Sequence, residues 1–295
     1  MKRWLLVFVM GAACRAPAPA GEGGRGARLV SLHDVTTEAL VRMGAADRLA
    51  GIAELVSPAP EVRAALAGVR RVAGAESILA LAPTAVVGLA VVAEQDPELV
   101  AALRARGIEV YLARPRTLDE VFEMVREVGR RVGAGAGAER AVAAVRGRVA
   151  AAPAPAGAGA GAGRVAPRLF VYDGGDPPFT AGGETVLSDL IARAGARNVF
   201  ADLAAGWTHV SWEEVIAREP THVVINDYLA EGGAAGRDQG WALAAALARK
   251  RATLGAMPRL AGLPVLALPL GQVLGGLGSA DAFERLRALV VGSAG

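Results

Sequence analysis

Short apolar runs alternate with helical patterns twice along this chain, once on each side of a helical stretch over residues 117–150. That alternation, more than any other feature, limits what the chain can fold into. Residues 28–32 read as a strand and 36–43 as a helix, with Asp34 as its N-cap and Gly44 as its stop. Further strands fall at 49–53, 85–90 and 108–112, and helices at 76–81 and 97–106. In the second half, 168–172, 221–226 and 264–268 read as strands, and 185–194, 211–217, 240–254 and 280–291 as helices. A β-α-β-α order with short links favours largely parallel sheets covered by helices on both faces. Between the halves, Leu118, Val121, Phe122, Val125, Val128 and Val132 recur at spacings of three and four, the mark of an amphipathic helix. Residues 139–150 continue it after a glycine-rich break.

The ends and the middle of the chain read differently. Lys2 and Arg3 precede a short apolar run over residues 4–13, too short to span a bilayer, which takes about 20 residues. The only cysteine, Cys14, follows it. Residues 1–13 therefore read as an export signal and 14–27 as a flexible tether. A cysteine placed after small residues resembles a bacterial lipoprotein signal, in which the cysteine carries the lipid; Gly11 departs from that pattern. Residues 28–117 form the first α/β lobe, 118–150 a helical linker, 151–167 a low-complexity Ala/Gly/Pro loop, and 168–295 the second lobe.

Composition narrows the function. Hydrophobic residues make up 53% and charged residues 21%, which excludes a disordered chain. The 32 basic and 29 acidic residues leave a net charge of only +3, so no nucleic-acid partner is expected. Neither Lys2 nor Lys250 follows the glycines of a phosphate-binding loop, there is no G-x-S-x-G, and the three histidines lack H-E-x-x-H spacing. The G-E-G-G-R-G at 21–26 precedes the first strand instead of following it, so it is not a dinucleotide site. No enzyme is expected, and no cofactor.

Five segments carry a family resemblance. RLVSLHDVTTEALVRMGAADRLAGI, AESILALAPTAVVGL, GIEVYLARPRTLDEV, DPPFTAGGETVLSDLIARAGARNVF and WTHVSWEEVIAREPTHVVI occur in this order. Together they resemble the periplasmic-binding proteins of the iron-siderophore and vitamin B12 ABC importers, from about Arg28 to Val290. The glycine-alanine loop at 156–163 and HDVTTE depart from that pattern. The resemblance implies an α/β fold of two sandwich lobes joined by a long interdomain helix, with the ligand cleft between the lobes. It also implies small lobe movements, a monomer, and an ABC permease with its ATPase as partner. The ligand it implies is a metal chelate, with a ferric siderophore favoured. A corrinoid or haem is the alternative, followed by a free metal or a signalling module that reuses the fold.

Open α/β sheets bind ligands at the carboxyl ends of their strands. Those ends place His33, Glu54 and Arg114 in the first lobe, and Tyr172, Phe179, Trp207, His209 and Tyr228 in the second. The aromatics suit a flat organic chelate, although each could equally pack in a core. His33 and His209 could hydrogen-bond the ligand or reach its metal, while His222, which begins a strand, is structural. The resemblance also implies permease docking through one acidic residue per lobe. In the first lobe that is Glu76; in the second it is Glu213, with Glu214 as the alternative.

Overall fold

The computed structural model describes residues 28–55, 58–152, 165–227 and 237–292. Cys14, the signal and tether expected over 1–27, most of the 151–167 loop and Tyr228 lie outside the described residues. The first lobe runs β1 (Leu29–Ser31), α1 (Asp34–Arg42), β2 (Leu49–Ile52), α2 (Pro60–Ala65), β3 (Arg70–Arg71) and α3 (Gly74–Leu79). It continues through β4 (Ala85–Leu89), α4 (Val91–Gln95), α5 (Pro97–Ala105) and β5 (Glu109–Ala113). These strands form one five-stranded parallel sheet in the order β3-β2-β1-β4-β5. The second lobe runs β6 (Arg168–Tyr172), β7 (Phe179–Ala181), α8 (Val186–Arg193), β8 (Arg197–Asn198), β9 (Trp207–His209) and α9 (Trp212–Ala217). It ends with β10 (His222–Asp227), α10 (Arg237–Gly255), β11 (Val265–Pro269), α11 (Leu270–Val273) and α12 (Ser279–Gly292). Its main sheet is parallel with the order β11-β10-β6-β8, and β7 pairs β9 in a separate antiparallel ribbon.

Burial follows sheet position. Every residue of β1 and β10, central in their sheets, is buried, whereas edge strands β5 and β11 begin exposed. A parallel sheet covered on both faces requires this, which is why its central strands appear in sequence as unbroken apolar runs.

The linker is two helices instead of one. α6 (Leu118–Arg131) and α7 (Gly135–Ala151) meet at a short turn and pack against each other. The Thr117 side chain caps α6 by accepting from the Glu120 amide at 3.2 Å. Gly133, at φ +66°, sits in the turn that breaks the helical run. α7 presses so closely on α1 that a Cβ at Gly137 would overlap the Met43 carbonyl oxygen. Both helices also grip the second lobe. Asp189 accepts from the Leu118 amide at 2.8 Å, and Arg193 meets Asp119 at 2.7 Å. Arg148 on α7 binds Glu284 at 2.8 Å and also Asp281, both on α12.

The seam between the lobes contains a buried carboxylate. Glu38 on α1 pairs with Arg42 at 2.6 Å and accepts a hydrogen bond from the Gly278 amide, just before α12. Burial pushes the Glu38 carboxyl above its ordinary 4.5, with Arg42 pulling it part of the way back. The folded protein therefore holds this proton more tightly than the unfolded chain does. Its contribution to stability falls as pH rises from 4.5 toward the folded value. Glu38→Gln should remove that slope and melt no lower than the parent at neutral pH. Thermal melts between pH 4 and 8 check this, and a steeper loss above pH 4.5 in the variant would contradict it.

Candidate functional site

Strand order locates the crevices. In the first sheet the order reverses at β1, with β2 on one side and β4 on the other. In the second it reverses at β6, between β8 and β10. Ligands of open α/β sheets sit beyond the carboxyl ends of the strands at such points. His33 follows β1, and Asp173 and Asp227 stand at the ends of β6 and β10.

His33, not Asp34, caps α1. Its Nδ1 accepts from the Val35 amide at 3.2 Å, and the helix begins at Asp34, two residues earlier than the sequence suggests. Because Nδ1 is an acceptor, the neutral ring carries its proton on Nε2, which leaves no lone pair for a metal. Burial lowers the His33 pKa against the pull of Asp34, in keeping with a neutral cap. Glu54 and Arg114 stand at the ends of β2 and β5, where both are solvent-exposed. Glu54 lies 3.9 Å from Arg71, and Arg114 pairs with Glu94.

The second lobe brings three predicted residues together. The β7–β9 ribbon pairs Phe179 with His209 and Ala181 with Trp207. Phe179 stacks on Trp207 with ring centroids 6.0 Å apart and planes at 27°, and its ring lies 4.8 Å from that of His209, tilted by 48°. Trp207 also packs against the hydrophobic core shared by both lobes. His209 is exposed, and its Nδ1 lies 3.1 Å from the Pro177 carbonyl oxygen. A carbonyl only accepts, so Nδ1 is the donor and Nε2 of the neutral ring keeps its lone pair. The two histidines therefore differ chemically: His33 is spent on a cap, and His209 offers an acceptor nitrogen.

Tyr172 does not join them. It is 2% exposed, stacked on Phe170 at 5.9 Å and tilted against Trp212 at 5.4 Å, so its ring belongs to the core of the second lobe. Its hydroxyl donates to the Gly175 carbonyl at 3.1 Å, and burial raises its pKa. His222 is buried at the start of β10 beside Thr221.

At the carboxyl ends of β6 and β10 lies a polar cluster whose lysine the sequence reading missed. Lys250 on α10 donates to the Asn226 carbonyl at 3.0 Å and reaches Asp173 Oδ1 at 3.4 Å. Asn226 Nδ2 donates to the same oxygen at 2.9 Å. Burial lowers the Lys250 pKa, and Asp173 and Asp227 oppose that shift. Among the described residues no group of three or more His, Cys, Asp or Glu side chains could hold a free metal ion, and no helix is long and apolar enough to cross a membrane. At the seam, a cavity of about 350 Å³ runs between Leu55, Glu38 and Glu61 on one side and Leu274 and Asp281 on the other.

This two-lobed parallel architecture and its order of segments match the sequence profile of the family described as Periplasmic binding protein, over residues 29–242. The chain belongs to that family. A vitamin B12-binding protein from Yersinia pestis is 28% identical over 213 residues, 71% of each chain. Among solved structures, a periplasmic binding protein from Veillonella parvula superposes with a TM-score of 0.75 at 24% identity, covering 91% of this chain and 93% of the other. A periplasmic heme-binding protein from Roseiflexus sp. RS-1 gives 0.70 at 24% identity, covering 92% and 100%. As a periplasmic binding protein, the chain captures a solute.

The two candidate docking glutamates occupy corresponding places. Glu76 lies in the first turn of α3 and Glu213 in that of α9, both exposed. Glu214 is engaged locally. Its carboxylate accepts from the Ser211 amide at 2.9 Å while Ser211 Oγ accepts from the Glu214 amide at 3.2 Å, a complete capping box.

Proposed function

We propose that this periplasmic binding protein delivers a macrocyclic metal chelate, a corrinoid or haem, to an ABC permease. The observation that carries this reading is the Phe179–Trp207–His209 face on the β7–β9 ribbon. Two stacked rings and an imidazole suit the flat surface of a macrocycle. His209 Nε2 is the nitrogen available to an axial position of a metal that the macrocycle already holds. His33, Glu54 and Arg114 would meet the ligand from the opposite lobe. The relatedness to vitamin B12-binding proteins and the structural likeness to a heme-binding protein support the same class. Nothing in this role needs catalysis or a resident cofactor, because the metal arrives as cargo.

Titration with haemin, cyanocobalamin and a ferric hydroxamate tests the ligand class. A macrocycle should bind at least about 100-fold more tightly than the siderophore, a difference of about 2.7 kcal/mol. For haemin, His209→Ala should also change the absorption spectrum of the complex. Tighter binding of the ferric hydroxamate would replace this reading with the siderophore one, the ligand that the sequence resemblance favours.

The protein would reach its permease as a lipid-anchored monomer, with Cys14 as the acylated residue. Cys14→Ser should move the protein from the membrane fraction to the soluble one. Retention in the membrane without acylation would remove the anchor from the account. Docking would use Glu76 and Glu213, one on each lobe.

A further inference from the structure

Lys250 is chemically out of place in this chain. Apart from Lys2 it is the only lysine, and arginine supplies every other basic side chain. It is also buried, with only 9% of its side chain exposed, and buried ammonium groups are retained only where partners compensate for lost water. Those partners lie at the carboxyl ends of two adjacent strands. The ammonium contacts the Asn226 carbonyl on β10 and the Asp173 carboxylate just beyond β6. This is where the strand order of the second sheet reverses, so the lysine fills the crevice that an open α/β sheet would otherwise leave for a ligand.

The same side chain supports the turn that carries Phe179. Gly174, at φ +121°, lies against it: a Cβ there would stand 3.1 Å from Lys250 Cε. The turn closes through Asp173 N–H donating to the Phe179 carbonyl at 3.0 Å and Phe179 N–H donating to the Gly174 carbonyl at 2.7 Å. Phe179 then opens β7, stacks on Trp207 and meets the His209 ring at a tilt. A wider guanidinium would have to fit between Gly174 and the two strand ends, whereas a linear ammonium already does. The chain of contacts therefore runs from α10 through Lys250 and Asp173 to the aromatic face.

We propose that Lys250 is the positioning residue of the ligand face: by holding Asp173 and the 173–179 turn, it fixes Phe179 against Trp207 and His209. This rests on reading that face as the ligand-binding surface. Its test uses two variants and two independent readouts on the full protein. Lys250→Met keeps the methylene packing and removes the ammonium, and Lys250→Met combined with Asp173→Asn removes both charges. In the ligand-free protein, Lys250→Met should raise hydrogen exchange of the Phe179 amide by about tenfold or more while the β1 and β4 amides stay protected. Haemin affinity should fall by about tenfold, and the double variant should recover most of both losses. Unchanged exchange over 173–181 would overturn the proposal. So would a rise spread equally over both lobes, which would assign Lys250 to general stability. If the parent binds neither haemin nor cobalamin, the ligand reading fails, and the exchange data still decide whether Lys250 holds the turn.

Discussion

Trp207→Ala is expected to lower affinity for the ligand by at least about tenfold, with a small change in melting temperature. The side chain is half-buried, stacked on Phe179 at 6.0 Å, and it presents part of its ring outward. Aromatic side chains bury about 150–250 Å² when fully covered and gain about 0.5–1.5 kcal/mol beyond that area when stacked. If a ligand covers about 60–80 Å² of this ring, the area contributes about 1.5–2 kcal/mol at ~25 cal/mol per Å². Together these exceed the ~1.4 kcal/mol that corresponds to tenfold. The competing role is packing, because Trp207 also touches the core shared by the lobes. Calorimetric titration beside a thermal melt separates the two. A lower melting temperature at unchanged affinity would make Trp207 a packing residue, and Phe179→Ala should then behave likewise.

The helices and central strands were readable because each carries a periodic pattern longer than its neighbours' noise. α6 is the clearest case, with apolar residues every three or four positions and Thr117 as its cap. The β7–β9 ribbon was not readable as secondary structure. Each strand has only three residues, and their partners lie far apart in sequence. Strand-end reasoning still named Phe179, Trp207 and His209, three residues that the ribbon brings together beside the carboxyl end of β6. It misplaced Tyr172 for a reason visible in the sequence. Residues two apart on a strand share a face, so Tyr172 follows Phe170 inward toward Phe200 and Trp212. The local engagement of Glu214 was also written in the sequence, since S-x-x-E from Ser211 to Glu214 is a capping box. The linker's division into two helices was half visible in its glycine-rich break. Lys250 was visible only as a rarity; its partners come from two segments far from it in sequence, and no local pattern joins them.

The double variant Glu76→Ala, Glu213→Ala is expected to bind its ligand within about twofold of the parent yet lose at least about tenfold in uptake. Neither carboxylate has a hydrogen-bond or ion-pair partner among the described residues, and both project from first turns on separate lobes. Two such charges set apart fix the orientation of a docked partner as well as its attraction. The local alternative is an interaction with the helix N-terminus, about 0.3–1 kcal/mol for each carboxylate. Glu98 isolates that alternative, because it too is an exposed acid in the first turn of a helix, α5. Glu98→Ala should carry a similar small stability cost and leave uptake unchanged. Exposed charges are screened over about 8 Å at physiological ionic strength, so the deficit of each single variant relative to the parent should narrow as salt rises. Permease-stimulated ATP hydrolysis in vesicles, measured alongside ligand affinity in solution, separates docking from capture. Normal uptake by the double variant at physiological salt would detach these glutamates from the permease. A matching loss with Glu98→Ala would return them to helix stability.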